Sequence, residues 1–97
     1  MVGHIGEFIY KDEINEWVDL ESLIVWYGDE ESFSDEHVSC IYNNSAATFK
    51  YLAVENPSDD IFGSIVTQGS SIVYKPKDGI KLYIQGDNFN ISISEMK

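Results

Sequence analysis

The residue types best suited to catalysis in this chain are one cysteine and two histidines. Cys40 lies three residues after His37, and the other histidine is His4. A cysteine–histidine pair works as a nucleophile only when the two side chains meet, whereas residues three apart on a strand point to opposite faces. A closed structural zinc site uses four ligands, which these residues do not supply. We therefore predict neither a catalytic site nor a metal site here, and the lone cysteine permits no intrachain disulfide.

An acidic segment, residues 29–36 (DEESFSDE), carries carboxylates of the kind that bind a hard cation such as calcium. It lacks the glycine and the alternating ligand spacing of the helix–loop–helix calcium motif. A solvated loop is one alternative. The other is a protein-docking loop, in which the carboxylates surround an aromatic anchor, Phe33.

Patterns for phosphate and cofactor binding are missing from the sequence. Neither Gly-x-x-x-x-Gly-Lys nor Gly-x-Gly-x-x-Gly occurs, and there is no arginine to clamp a phosphate through two hydrogen bonds. Close acid pairs such as Glu13 and Glu16 arise by chance among seventeen acids in 97 residues, so they do not identify a general acid and base. The sequence predicts a protein that is not an enzyme and binds no cofactor.

Negative charge is concentrated in the first 40 residues. The chain has a formal net charge of −11, with eleven acids and one lysine in residues 1–40 against six acids and five lysines in residues 41–97. Such a field repels nucleic acid and anionic membrane and attracts basic proteins. No apolar run approaches the ~20 residues of a membrane-spanning helix. Residues 1–7 lack a basic region followed by an apolar stretch, so we expect no secretory leader. We expect a cytoplasmic protein whose partner is a basic protein, with no direct contact to nucleic acid or membrane.

The elements that position these residues are predicted to be strands. Residues 80–84 and 89–93 place apolar side chains at every second position, which is typical of antiparallel strands with one buried face. Further strands are predicted at residues 7–10, 37–42, 48–54, 61–67 and 72–75. Turn-forming residues at 76–79 and 86–88 separate the later strands.

Residues 12–27 are less regular. Residues 12–21 form either a helix capped by Asp12 or an extension of a strand, since their apolar residues do not keep to one helical stripe. Residues 23–27 (LIVWY) favour a buried strand with Trp26 in the core. The fold class is then mainly β, as an antiparallel meander, small sandwich or half-barrel with at most one short N-terminal helix. The alternative is α+β, and residues 1–97 form a single domain.

Acids and aromatic residues are interleaved in the acidic half. Trp17 lies within residues 12–21, where five of ten residues are acids. Tryptophan and tyrosine are enriched as interface anchors, and charge raises the rate of encounter. For Trp17 the sequence favours a core role and an interface role equally. The predicted partner-binding residues are Asp12, Glu13, Glu16, Trp17, Asp19, Glu21, Tyr27, Asp29, Glu30, Glu31, Phe33, Asp35 and Glu36.

In size and composition the chain is similar to bacterial immunity proteins, which neutralise secreted nuclease toxins. A nuclease active site is positive because its substrate is a polyanion. The similarity implies that carboxylates of residues 12–36 occlude such a site, with Trp17, Tyr27 or Phe33 as anchors. Two alternatives remain: a nucleic-acid mimic that inhibits a restriction, CRISPR or DNA-binding protein, and a small-ligand-binding β-barrel. The uneven distribution of acids favours one docking face over the evenly charged rod of a mimic.

Overall fold

The computed structural model describes residues 2–57, 63–77 and 79–96. Within them the chain forms nine strands and one short helix. In chain order these are β1 (Val2–Tyr10), β2 (Ile14–Asp19), α1 (Leu20–Leu23), β3 (Val25–Trp26), β4 (Val38–Asn43), β5 (Phe49–Val54), β6 (Ser64–Val66), β7 (Ser71–Tyr74), β8 (Lys81–Gly86) and β9 (Phe89–Met96).

The strands form two antiparallel sheets that pack face to face. One sheet has five strands in the order β3-β1-β9-β4-β7, and the other has four in the order β2-β8-β5-β6. Both sheets contribute to one core, whose members include Ile41, Ile91 and Ile93 from the first and Phe49, Leu82 and Ile84 from the second. The predicted mainly β fold is confirmed, and among the arrangements expected it is the small sandwich.

The two alternating segments of the sequence are β8 and β9. Leu82 and Ile84 in β8 are 1% and 0% exposed, and the apolar positions of β9 face the same core. A strand that buries one face has its register fixed, because a slip of one residue would turn its apolar side chains outward. Between these strands Gly86 and Asn88 have φ angles of +152° and +48°, values that favour glycine and asparagine.

Successive strands in the C-terminal half do not pair in chain order. β5 and β6 form a hairpin, but β7 pairs with β4 in the other sheet, and β8 returns to lie between β5 and β2. The turn predicted at residues 76–79 therefore carries the chain between the sheets, and its residue 78 lies outside the described residues. Alternation indicates which face of a strand is buried, whereas the choice of neighbour depends on the packing of the whole chain.

Residues 12–27 form the edge strand β2, the single helical turn α1 and the two-residue edge strand β3. The buried strand predicted at residues 23–27 is wrong, because Leu23 ends the helical turn and Val25 is 63% exposed. The N-cap of α1 is Asp19 rather than Asp12, since the backbone amide of Glu21 donates to Asp19 Oδ1 at 3.1 Å. Leu20, the first residue of this turn, is fully buried. The apolar residues of the stretch thus reach the core from a strand and from a helical turn, which explains why they fit no single helical stripe.

The edge strand β2 is interrupted by a bulge. Ile14 pairs with Gly86 and Val18 pairs with Ile84, so β2 advances four residues while β8 advances two. Extra residues in one strand leave part of it unpaired and bend it. Residues 15–17 therefore leave the regular ladder, and this edge of the four-stranded sheet is open.

A buried asparagine joins the two sheets. Asn43, the last residue of β4, is 0% exposed. Its Nδ2 donates to the carbonyl oxygens of Ala47 at 2.8 Å and of Val66 at 3.0 Å. Its Oδ1 accepts hydrogen bonds from the backbone amide and the hydroxyl of Ser45. Because Val66 belongs to the opposite sheet, this one amide connects β4, β6 and the segment that leads to β5.

Ser39 provides the opposite case, a buried hydroxyl without a partner. Its side chain is 0% exposed, and its Oγ has no hydrogen bond within residues 2–57, 63–77 and 79–96. An unbonded buried hydroxyl costs about 1–3 kcal/mol. We expect Ser39→Ala to raise the free energy of unfolding by about 1 kcal/mol in urea denaturation.

Ser45→Ala is the matched control for that substitution. The Ser45 hydroxyl donates to Asn43 Oδ1 and lies 2.9 Å from the carbonyl oxygen of Ala47. Its removal is expected to lower stability by about 1 kcal/mol. Equal losses in the two variants would contradict the assignment of Ser39 as unbonded.

Candidate functional site

The seven exposed acids of the first 40 residues fall into two groups on the sandwich. The groove end is the one at which β1 finishes, and it carries three exposed acids: Asp12, Glu13 and Glu16. The loop end is the one at which β1 starts, and residues 29–36, the acidic loop, lie in the connection that reaches β4 there. The loop begins beside the middle of β1, where the backbone amide of Tyr27 donates to the carbonyl oxygen of Ile5, and it ends at the start of β4. The structure therefore divides the predicted docking face into two groups.

Phe33, predicted to be an exposed anchor, is a core residue. It is 5% exposed, and its ring packs edge-on against Trp26 and Tyr74 at centroid distances of 5.4 and 5.0 Å. Burying a phenylalanine side chain is more favourable than exposing it by about 1.5–3 kcal/mol. Trp26 and Tyr74 provide aromatic neighbours for the ring. This corrects the prediction for Phe33, which attaches the acidic loop to the core and is not presented to a partner. The core role predicted for Trp26 is confirmed.

Hydrogen bonds give the acidic loop a defined shape. Ser34 Oγ accepts from the backbone amides of Glu36 and His37 at 3.1 and 3.2 Å, and the amide of Glu30 donates to the carbonyl oxygen of Tyr27 at 3.1 Å. Four predicted acids of the loop are exposed, namely Asp29, Glu31, Asp35 and Glu36, and Glu30 is half-buried. The loop presents carboxylates to solvent without an apolar surface of its own.

Two of the predicted partner-binding acids interact within the protein. Asp19 caps α1 and lies 3.6 Å from Lys81 Nζ. Glu21 Oε2 accepts the backbone amide of Phe33 at 3.0 Å. Burial raises the pKa of Tyr74, and the nearby carboxylates of Glu21 and Asp19 raise it further. These two carboxylates hold the loop end together and are less available to a partner.

The remaining predicted aromatic residues differ in exposure. Tyr27 is 39% exposed and faces Glu7, and partial burial together with that carboxylate raises the pKa of its hydroxyl. Trp17 is half-buried, and its indole reaches across the four-stranded sheet to contact Gly63, next to the opposite edge strand. Tyr27 remains an exposed aromatic near the acidic loop, while the Trp17 indole contacts a residue of its own sheet region.

At the groove end, an open groove of about 560 Å³ runs between the edges of the two sheets. β3 pairs with β1 only at Gly6 and Glu7, so the later residues of β1 border the groove. The bulged strand β2 forms the opposite side. The apolar lining consists of Phe8, Tyr10, Ile14, Val18 and Leu23, and the polar lining consists of Glu13, Asn15 and Glu16.

The groove combines an apolar floor with negative charge at its rim. Tyr10 is 41% exposed, and its ring stacks on Phe8 with centroids 5.8 Å apart. Glu13 and Glu16 are exposed beside it. A second depression, of about 230 Å³, adjoins the same turn on the far side of Ile14. This arrangement suits a ligand that is apolar along its length and positively charged at its end.

The histidine and cysteine side chains do not form a site. Cys40 is buried with its Sγ 3.3 Å from Met96 Sδ, whereas His37 lies before the start of β4. In the part of the chain that the structure describes, no group of three or more His, Cys, Asp or Glu side chains is placed to hold a metal ion. No helix of the described residues has the length and apolar character needed to cross a membrane.

The sequence predicts the acids of the groove end but not its apolar lining. In the sequence, Phe8 and Tyr10 indicate only a strand, and Ile14 and Val18 lie in a segment that fits either a helix or a strand. The available signal was the run of aromatic and apolar residues on both sides of the acidic turn at residues 11–13. This run indicates a groove only when the end of β1 and the strand β2 are known to face each other from different sheets.

No protein-family model, curated protein or solved structure matches the chain. What the groove and the acidic loop bind is therefore inferred from their own residues.

Proposed function

We propose that this protein is a small acidic inhibitor that binds a basic protein, and that it acts as an immunity protein against a nuclease-type toxin in the cytoplasm. The toxin's active site must be positive to hold a polyanionic substrate. Carboxylates of the inhibitor occupy the positions of phosphates and block access to the site. Inhibition needs no chemical step by this chain.

The observation that carries the proposal is the lack of internal compensation for the surface carboxylates. Across residues 2–57, 63–77 and 79–96, one ion pair joins opposite charges, that between Lys81 and Asp19. The exposed acids of the acidic loop and of the groove end thus keep their charge free for an external cation. Such self-repulsion opposes folding of the monomer, and it is relieved when a basic surface covers the acids.

Charge at both ends contributes to the rate of association. Oppositely charged proteins associate at up to about 10⁸–10⁹ M⁻¹s⁻¹ at low salt, against about 10⁵–10⁶ M⁻¹s⁻¹ without steering. Exposed charges are screened beyond ~8 Å at physiological ionic strength. Association should therefore slow steeply with salt, while the lifetime of the complex depends on close contacts that exclude water.

The test is capture followed by inhibition. The tagged full chain is incubated at low salt with lysate and with the secreted fraction of its source organism, and the captured proteins are identified by mass spectrometry. We expect one basic nuclease in near-stoichiometric amount, and its purified activity should disappear at a 1:1 ratio. The association rate constant should fall by at least about tenfold between 0.05 and 0.5 M salt.

Two results would overturn the proposal. Recovery of a restriction, CRISPR or DNA-binding protein would indicate a nucleic-acid mimic. Recovery of many unrelated basic proteins that all elute at moderate salt, without inhibition of any nuclease, would indicate that the acids only keep the protein soluble.

A further inference from the structure

The groove end and the acidic loop offer a partner different surfaces. The acidic loop presents carboxylates around a backbone whose aromatic residue, Phe33, points into the core. The groove adds to its two carboxylates a concave apolar floor formed by side chains such as Tyr10, Ile14 and Val18. Of these two surfaces, the groove is the one that combines its carboxylates with a concave apolar lining able to remove apolar surface of a partner from water.

We infer that the groove is the specific contact site, and that its occupant is a protruding arginine-bearing loop of the basic partner. The aliphatic part of the arginine lies along Tyr10, Ile14 and Val18, and the guanidinium reaches Glu13 and Glu16. This inference rests on the proposed function in one respect, namely that the cation belongs to a protein.

Charge complementarity selects this occupant. The groove's charged lining consists of Glu13 and Glu16, which disfavour acidic peptides, nucleotides and anionic lipid headgroups. A guanidinium forms paired hydrogen bonds with a carboxylate and stacks on an aromatic face such as that of Tyr10. Its stem gains by contact with apolar surface, and a volume of about 560 Å³ is sufficient for several side chains.

The two acidic groups then have separate roles. The exposed acids of the acidic loop do not line the groove, so we expect them to accelerate encounter without touching the groove's occupant. Loss of a charge that stays solvated in the complex, as expected in the acidic loop, changes mainly the association rate, whereas loss of a charge that the partner covers, as expected for Glu13 and Glu16, changes mainly the dissociation rate. The groove should therefore determine the lifetime of the complex.

The experiment compares two variants that remove the same amount of charge. Glu13→Gln with Glu16→Gln neutralises the groove, and Glu31→Gln with Asp35→Asn neutralises the acidic loop. The probe is a capped pentapeptide with a central arginine between leucines, added to the isotope-labelled full chain and followed by amide chemical shifts in NMR. A peptide with glutamine in place of arginine is the control ligand.

For the unmodified chain we expect shifts centred on Tyr10 and residues 13–18. The groove variant should bind the arginine peptide at least about tenfold more weakly, and the acidic-loop variant less than about twofold more weakly. Tyr10 is 41% exposed, and Tyr10→Ser in the otherwise unmodified chain should also weaken binding of the arginine peptide severalfold. Equal weakening in the two charge variants, or shifts centred on the acidic loop, would overturn the inference.

The same two variants separate this inference from the proposed function. If a basic nuclease is captured and the groove variant releases it faster while the acidic-loop variant only binds it more slowly, both stand. If the nuclease is captured and the two variants behave alike, the groove inference fails and the inhibitor function stands. If no basic protein is captured but the arginine peptide shifts the amides of the groove residues, the inhibitor function fails, and the inference that the groove binds an arginine side chain stands.

Discussion

Phe33→Ala is expected to lower the free energy of unfolding by about 3–5 kcal/mol, although Phe33 belongs to a loop that looks like a surface segment in the sequence. Phe33 is 5% exposed and contacts the rings of Trp26 and Tyr74. The substitution removes aromatic contacts on both sides and leaves a cavity that β-strands cannot close by small shifts. Since a domain of this size has about 5–15 kcal/mol of stability, the variant should be close to unfolding.

Urea denaturation followed by tryptophan fluorescence measures this loss, because Trp26 is a direct neighbour of Phe33. Tyr27→Ala is the control, as Tyr27 is an aromatic residue close in sequence that is 39% exposed, and we expect a loss of less than about 1 kcal/mol. If Phe33→Ala kept wild-type stability and lost only binding, Phe33 would be an interface anchor after all. The distinction matters for any alanine scan of the acidic loop.

Asn43→Ala is expected to cost about 2–4 kcal/mol. The substitution removes hydrogen bonds to Ala47, Val66 and Ser45, and each buried group left without a partner costs about 1–3 kcal/mol. One of the groups that loses this donor is the carbonyl oxygen of Val66 in β6, which cannot turn outward without disturbing that strand. The losses fall at the point where β4 and β6 of opposite sheets are joined.

Asn44→Ala is the matched control for Asn43→Ala. Asn44 is exposed, and its side chain donates to Ser92 Oγ on the surface. We expect less than about 0.5 kcal/mol from its removal, measured by the same urea denaturation. Comparable losses at the two neighbouring positions would show that the Asn43 network does not contribute to stability as the geometry indicates.

Much of the local structure follows from the sequence. The alternation in β8 and β9 reports the burial of one face, since period-two burial is a property of the strand itself. The same holds for the turn at Gly86 and Asn88, whose backbone needs unusual φ values. The helix at residues 20–23 is too short to give a periodic pattern, and it is fixed by the Asp19 cap and by burial of Leu20.

Strand order and the site depend on interactions that the sequence pattern does not encode. The exchange of β7 and β8 between sheets places residues that are close in sequence on opposite sides of the core. Phe33 is surrounded by acids in the sequence, yet its apolar ring finds space beside Trp26 and Tyr74. The groove forms because the end of β1 that β3 leaves uncovered faces β2 in the other sheet. The sequence therefore predicts the groove's acids, but not the apolar floor, which depends on this placement.

The bulge in β2 also bears on how copies of the protein avoid joining through their strand edges. An uninterrupted edge exposes a row of backbone donors and acceptors that can template another strand, and fibrils grow in this way. In β2 the extra residues between Ile14 and Val18 break that row, while the other edge strands β3, β6 and β7 have only two, three and four residues. The irregularity that opens the groove to a partner's side chain thus makes the same edge a poor template for aggregation.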